Sequence, residues 1–239
     1  MKITTVLLDL DGTLLPMDND AFTKGYFKLL AKKLAPLGYE AGKMVDVIWA
    51  GTACMVKNDG SRSNEEAFWE KFAQEYGEER LADRPVFDEF YAVEFQQAQA
   101  MCGYDPLAVE TIRFCQAHGL KVALATNPIF PGHATESRIR WAGLEPSDFA
   151  LYTTYENSTY CKPNPAYYQD LCKRLSVSPQ ECLMVGNDVG EDMIAETTGM
   201  RVFLLTDNLI NRRDADITRY PRGGFAELLA FLKDEVNES

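Results

Sequence analysis

Five short apolar runs, each bounded by polar or turn-forming residues, constrain the architecture of this 239-residue chain more than any other feature. They are residues 3–8, Lys121–Ala125, Phe149–Tyr152, Cys182–Val185 and Arg201–Leu205. Their apolar character is continuous rather than alternating, as in strands buried on both faces of a parallel sheet. Helical periodicity lies between them. Asp105-Pro106 supplies an N-cap and first turn for a helix carrying Leu107, Ile112 and Cys115, with Gly119 to stop it. Further helices are expected over Pro165–Leu175, Asp188–Thr198 and Phe225–Val236. This alternation predicts an α/β fold, a doubly wound parallel sheet.

Residues 16–103 break the rhythm. Phe22, Tyr26, Leu29, Leu30, Leu34 and Leu37 recur at helical spacing, and Ser63 with Glu66 forms a capping box before Phe68, Phe72 and Tyr76. Phe87, Phe90, Tyr91 and Phe95 make another stripe. The segment contains no convincing strand and predicts an all-helical insertion of about four helices, its aromatic stripes serving packing. The expected division is a core of 1–15 and 104–239 with a helical domain of 16–103.

Composition narrows the partners. A net charge of −12 and a pI near 4.7 argue against nucleic acid and anionic membranes, both of which demand a positive face. No apolar run approaches the roughly 20 residues that span a bilayer. Lys2 and a three-residue apolar stretch do not make a signal peptide. Six cysteines without a C-x-x-C pair suit a reducing cytoplasm.

The chemistry gathers where the apolar runs end. Asp9-Leu10-Asp11-Gly12-Thr13 follows Val6-Leu7-Leu8 and offers two carboxylates at the mouth of a sheet. A calcium loop does not fit, because its obligatory glycine would fall on Leu14. A simple Asp-Gly turn remains the alternative. Thr126-Asn127 closes the second run, as a phosphate seat or an N-cap. Lys162, between Cys161 and Pro163, either neutralises an anion together with a carboxylate or is an exposed loop lysine. Gly186-Asn187-Asp188-Val189-Gly190-Glu191-Asp192 closes the fourth run. Its Asp188 and Asp192 fall on one face of the expected helix start, where hard oxygen ligands suit Mg²⁺ and where acids also complement the helix dipole.

Acid pair, Thr-Asn, Lys-Pro and acid pair, each closing a different strand, resemble in order and placement the four motifs of the haloacid dehalogenase superfamily. The likeness covers residues 1–15 and about 104–239, a Rossmann-like catalytic core, with the helical insertion where that family carries its cap. By resemblance Asp9 is the nucleophile that forms an aspartyl-phosphate, and Asp11 protonates the leaving oxygen and then activates water. Mg²⁺ would be held by Asp9, the main-chain carbonyl of Asp11 and Asp188, with Asp192 in support. Thr126, Asn127 and Lys162 would bind the phosphoryl oxygens. Members resembling the dehalogenases lack the second aspartate, so Asp11 favours phosphomonoester hydrolysis of a small metabolite. A phosphomutase, a phosphonate hydrolase with Lys57 as a Schiff-base candidate, and a non-catalytic phospho-acceptor are the alternatives.

The chain departs from many capped relatives at Leu15-Pro16-Met17-Asp18-Asn19-Asp20, whose acids serve as helix caps or as ligand contacts. In the loop Lys57-Asn58-Asp59-Gly60-Ser61-Arg62, Lys57 and Arg62 are candidates for reading the leaving group, against a solvated interhelical turn. His118 and His133 read as helix-end and surface residues. Arg212, Arg213, Arg219 and Arg222 read as a solvated loop.

Overall fold

The computed structural model describes residues 2–237. Five parallel strands form one sheet: β1 (Thr5–Leu8), β2 (Lys121–Leu124), β3 (Cys182–Gly186), β4 (Arg201–Leu205) and β5 (Arg222–Gly223), in the order β2-β1-β3-β4-β5. Leu8 pairs with Leu124 on one side and Val185 on the other, so β2, β1 and β3 end level. The residues that follow them therefore leave the sheet along one edge, where open α/β sheets place their ligands.

Period-two alternation divides the strand side chains between two apolar layers. Val6, Leu8, Val122, Leu124, Leu183 and Val185 face one layer, and Leu7, Ala123, Met184 and Leu204 face the other. The first layer receives α5 (Pro106–Ala117), α6 (Gly132–Trp141) and α8 (Phe225–Asn237); the second receives α7 (Pro165–Leu175). Helices thus cover both faces, and the fold is doubly wound α/β as expected. Asp105 caps α5 by accepting from the Leu107 N–H at 2.8 Å.

Between β1 and α5 the chain forms four α-helices: α1 (Asn19–Leu34), α2 (Ala41–Val56), α3 (Asn64–Tyr76) and α4 (Arg84–Ala92). They are joined by 3₁₀ turns at Ala35–Leu37 and Glu78–Asp83 and followed by another at Glu94–Met101. The expected capping box is present, with Ser63 and Glu66 bonded reciprocally. Asp18 caps α1 through the N–H groups of Asp20 and Ala21, both at 2.9 Å. The two ends of the segment meet where the Gly103 N–H donates to the Pro16 carbonyl at 2.6 Å. Its aromatics pack directly on α6 and the loop before it: Phe95 lies tilted against Trp141 at 5.1 Å and Tyr26 meets Phe130 edge-on at 5.5 Å. No helix among the described residues is long and apolar enough to cross a membrane.

Three local expectations are corrected. Phe149–Tyr152 is not a strand: it runs beside β2, bonded to it through the Ala150 N–H, the Leu151 carbonyl and the Thr153 N–H, but a bend at Ala150 leaves an isolated Leu124–Tyr152 bridge instead of a ladder. Asp188–Thr198 is not an α-helix. Residues 188–192 form a turn whose polar side chains capture its own N–H groups, and only Met193–Thr198 coils, as a 3₁₀ helix. Arg222 lies in β5, an edge strand two residues long that no periodicity could reveal.

Candidate active site

The tight turn after β1 presents the two aspartates. The N–H groups of Thr13 and Leu15 both donate to the Leu10 carbonyl, which folds the chain back beneath Asp11. Gly12 sits at φ +83°, and a Cβ there would lie 2.4 Å from the Asn187 amide nitrogen. Glycine is thus required for its backbone and for its lack of a side chain. Thr13 donates to Asn187 at 3.0 Å, tying this turn to the end of β3.

Lys162 is almost wholly buried and holds two carboxylates. Its ammonium donates to Asp9 Oδ1 at 2.8 Å and to Asp192 Oδ1 at 2.6 Å. Burial opposes its charge, yet Asp192 and Asp9 hold its pKa well above the ordinary lysine range. Asn127 anchors the lysine's backbone, accepting from the Lys162 N–H at 3.2 Å, while its amide donates to Glu191 at 3.0 Å. The Thr126 carbonyl accepts from Tyr167 at 2.8 Å and Thr153 at 2.6 Å, which fixes the end of β2. The exposed-lysine and simple N-cap alternatives at these positions are therefore set aside.

Asp192 lies closer in than the sequence suggested. A Cβ on Gly186 would fall 2.1 Å from its carboxylate, so the glycine admits Asp192 against the end of β3. Both of its oxygens are engaged, one by Lys162 and the other by the Asp188 N–H at 2.9 Å. Asp192 thus braces the lysine and the Asp188 turn, instead of standing beside Asp188 on a helix face. Burial pushes its carboxyl up to about 7, and burial likewise pushes Glu191 up to about 7.

Arg138 is the participant that sequence reading missed. It is 1% exposed on α6, its guanidinium pairs with Asp11 Oδ2, and it lies 4.4 Å over the Phe130 ring. Its Nε donates to the Ala134 carbonyl at 3.2 Å. The other Asp11 oxygen is buried without a partner. Burial raises the Asp11 carboxyl above the usual range, aided by Asp9 and opposed first by Arg138 and then by Lys162. Nothing in Ser137-Arg138-Ile139-Arg140 distinguishes this buried arginine from exposed Arg140 two residues on, and its partner is 127 residues away.

Asp9, Asp11, Thr126, Asn127, Asp188 and Asp192 all line one cavity of about 370 Å³ under the inserted helices. Asn19 lines it too, so that position of the departing segment is a wall residue, whereas Asp18 is a cap. Lys57 and Arg62 are not brought there: Lys57 ends α2 and Arg62 pairs with Glu70 on the surface at 2.9 Å. His133 is exposed on α6, and His118, also exposed, bonds the Phe114 carbonyl. Arg212 reaches the cavity, while Arg219 pairs with Glu196 outside it. Several aromatics expected to serve only packing, Phe22, Tyr26 and Phe68 among them, form the cavity wall as well.

Among the described residues no three His, Cys, Asp or Glu side chains converge as a ready-made metal cage. The donors nevertheless fit Mg²⁺, which binds through one or two carboxylates and takes its remaining oxygens from water and phosphate. Asp9 and Asp188 supply such carboxylates on one cavity wall.

The family model for haloacid dehalogenase-like hydrolases matches residues 3–195, and the chain belongs to that family. A Bacillus subtilis (strain 168) protein named Putative phosphatase YhcW is 28% identical over 120 residues, 50% of this chain and 53% of that one. The chain thus aligns with about half the length of this curated relative. A 2-haloacid dehalogenase from Pseudomonas syringae pv. Tomato DC3000 superposes with TM-score 0.64 at 20% identity, covering 97% of this chain and 99% of the other. A predicted phosphoglycolate phosphatase from Haemophilus somnus 129PT gives TM-score 0.59 at 17% identity, covering 97% and 99%. CbbY from Rhodobacter sphaeroides, crystallised as a mutant with xylulose-1,5-bisphosphate, gives 0.58 at 17%, covering 95% and 96%. These likenesses establish the fold.

Proposed function

We propose that this hydrolase is a Mg²⁺-dependent phosphomonoesterase acting on a small phosphorylated metabolite, with residues 16–103 as its cap. Asp9 attacks phosphorus in line, forming the Asp9 O–P bond as the ester P–O bond breaks, and Asp11 delivers a proton to the departing oxygen. Asp11, now a carboxylate, takes a proton from water, whose oxygen attacks phosphorus as the Asp9 O–P bond breaks. Phosphate leaves and both aspartates return to their starting states. Thr126 and the Asn127 N–H hold the phosphoryl oxygens through both steps, and the Lys162 ammonium, held against Asp9, offsets the negative charge gathered there. Asp9, Asp188 and the Asp11 carbonyl would hold Mg²⁺, which supplies positive charge to the phosphoryl group as negative charge builds. The six cysteine thiols favour a cytoplasmic setting.

The observation that carries this reading is the placement of Asp11 in the same cavity as Asp9, with a pKa raised by burial. A carboxyl raised in this way can keep the proton that an alcohol leaving group needs, and a halide would need none. The test is phosphate release from a panel of phosphorylated metabolites, with and without Mg²⁺, repeated on Asp9→Asn. Release is expected to require Mg²⁺ and to vanish in the variant. Undiminished release from Asp9→Asn would remove Asp9 as nucleophile, and isomerisation of a sugar phosphate without net release would indicate a mutase.

A further inference from the structure

The cavity has two chemically different ends. At the sheet edge stand the carboxylates, Thr126 and Asn127, which serve the phosphoryl group. The inserted helices supply rings to the wall: Tyr26, Phe27, Trp49, Phe68 and Trp69. Trp49 stands out, because it lines the cavity while half of it (51%) remains exposed, its ring 5.6 Å from Phe27. An indole left half in water beside a ring-lined cavity is surface that a ligand can cover.

The cations are as informative as the rings. A second phosphate or a carboxylate on the substrate would need a positive partner once desolvated. Arg212 is the only lysine or arginine among the described residues that line the cavity. It enters from the sheet side, two residues past Ile210, whose N–H bonds the Asn187 carbonyl at 2.9 Å. The helical wall instead contributes a carboxylate, Asp88, together with Thr23 and Thr52. Lys57 and Arg62, the cap-loop cations, are absent from the lining.

We infer that the substrate is a monoester with a single anionic group, its phosphate, and an uncharged aromatic body that lies against Trp49 and its neighbours. This rests on the phosphatase reading and sharpens it. The cavity volume suits one such ring system and lies near the lower end for small-molecule sites. A substrate carrying a second anion toward the helical wall, such as phosphoglycolate or a sugar bisphosphate, would face Asp88 and rings there, since the lining arginine stands on the sheet side.

Benzyl phosphate, ethyl phosphate and phosphoglycolate separate the alternatives, because all three release alkoxide-type leaving groups. The kcat/KM for benzyl phosphate is expected to exceed that for ethyl phosphate at least about thirty-fold, equivalent to about 2 kcal/mol at 1.4 kcal/mol per decade. Phosphoglycolate should fall below both. Trp49→Ala should lower the benzyl-to-ethyl ratio about fivefold, and its exposed position keeps the fold out of question. A wild-type ratio below threefold, or a preference for phosphoglycolate, overturns the inference while leaving the hydrolase intact. Binding of benzylphosphonate and ethylphosphonate, which cannot be hydrolysed, gives a readout independent of turnover. If no ester is cleaved yet benzylphosphonate binds at least thirty-fold more tightly, the aromatic site stands and the hydrolase reading falls. Equal binding of the two phosphonates overturns the site.

Discussion

Replacing Lys162 with methionine tests the electrostatic centre of the site. The change keeps an unbranched chain of similar length and removes the charge that sits 2.8 Å from Asp9 and 2.6 Å from Asp192. Asp192 is 1% exposed, so its carboxylate would be left buried with only the Asp188 N–H as partner. Breaking a buried pair in this way costs about 3–5 kcal/mol. For a chain of this size that corresponds to a fall in Tm of roughly 10 °C. The cost must depend on pH. The folded carboxyl of Asp192 titrates at about 7, above its value of about 3.9 in an unfolded chain. Between those values the folded state holds a proton that the unfolded state lacks, so this group's stabilising contribution declines as pH rises. Lys162 lowers the folded value, so the variant's Asp192 should titrate still higher and the decline should steepen. Lys162 itself titrates well above the ordinary lysine range, so its own charge stays constant through this window. Urea unfolding at pH 8 and pH 5 should show the full loss at pH 8 and a clearly smaller one at pH 5, where protonation relieves the unpaired acid. A loss below about 1 kcal/mol at pH 8, or one that does not vary between the two, would refute the reasoning.

Three further outcomes follow from the same geometry. Arg138→Met removes the strongest influence that lowers the Asp11 carboxyl, so the alkaline limb of the kcat/KM profile should move to higher pH; a superimposable profile would separate Arg138 from the proton transfer. Gly12→Ala forces a Cβ against Asn187 at a left-handed backbone position, and should cost about 1–3 kcal/mol in chemical unfolding and lower phosphate release with it. Mg²⁺ should bind more tightly at pH 8 than at pH 6, because Glu191 and Asp192 both titrate at about 7 beside Asp188; calorimetry in two buffers of different ionisation enthalpy should reveal proton release, and pH-independent binding would count against this cluster as the metal's setting.

The strand runs β1 to β4 and the helices α1, α3, α5, α7 and α8 were legible because apolar periodicity and capping residues are local properties. Ser63 and Glu66 announced α3 three residues apart, and Asp105-Pro106 announced α5. The expected strand at Phe149–Tyr152 failed because its apolar residues lie along an edge, where a bend at Ala150 outweighs β-propensity. The expected α-helix from Asp188 failed because the Asp188 carboxylate captures the N–H groups of Gly190 and Glu191, an alternative to helical bonding that composition alone does not price. Lys57 and Arg62 were reasonable candidates by charge and loop position, yet the packing of α2 and α3 turns them outward.

What the chain determined by itself is the order of its chemistry: an acid pair, a Thr-Asn, a lysine just before a helix and a second acid pair, three of the four at the end of an apolar run. Equal strand ends in a parallel sheet then bring those positions to one edge, since the register Leu8–Leu124 and Leu8–Val185 is set by the same apolar residues. Only the tertiary structure decided what each acid faces. Asp192 was drawn under Lys162 because Gly186 leaves room for it, and Asp11 was paired with Arg138 because α6 packs that arginine beneath Phe130. Such pairings are long-range: they cross 30 residues in one case and 127 in the other, and no local pattern encodes them. The rings of the cavity wall belong to the same class, since helical spacing made them apolar and packing decided which of them a ligand would meet.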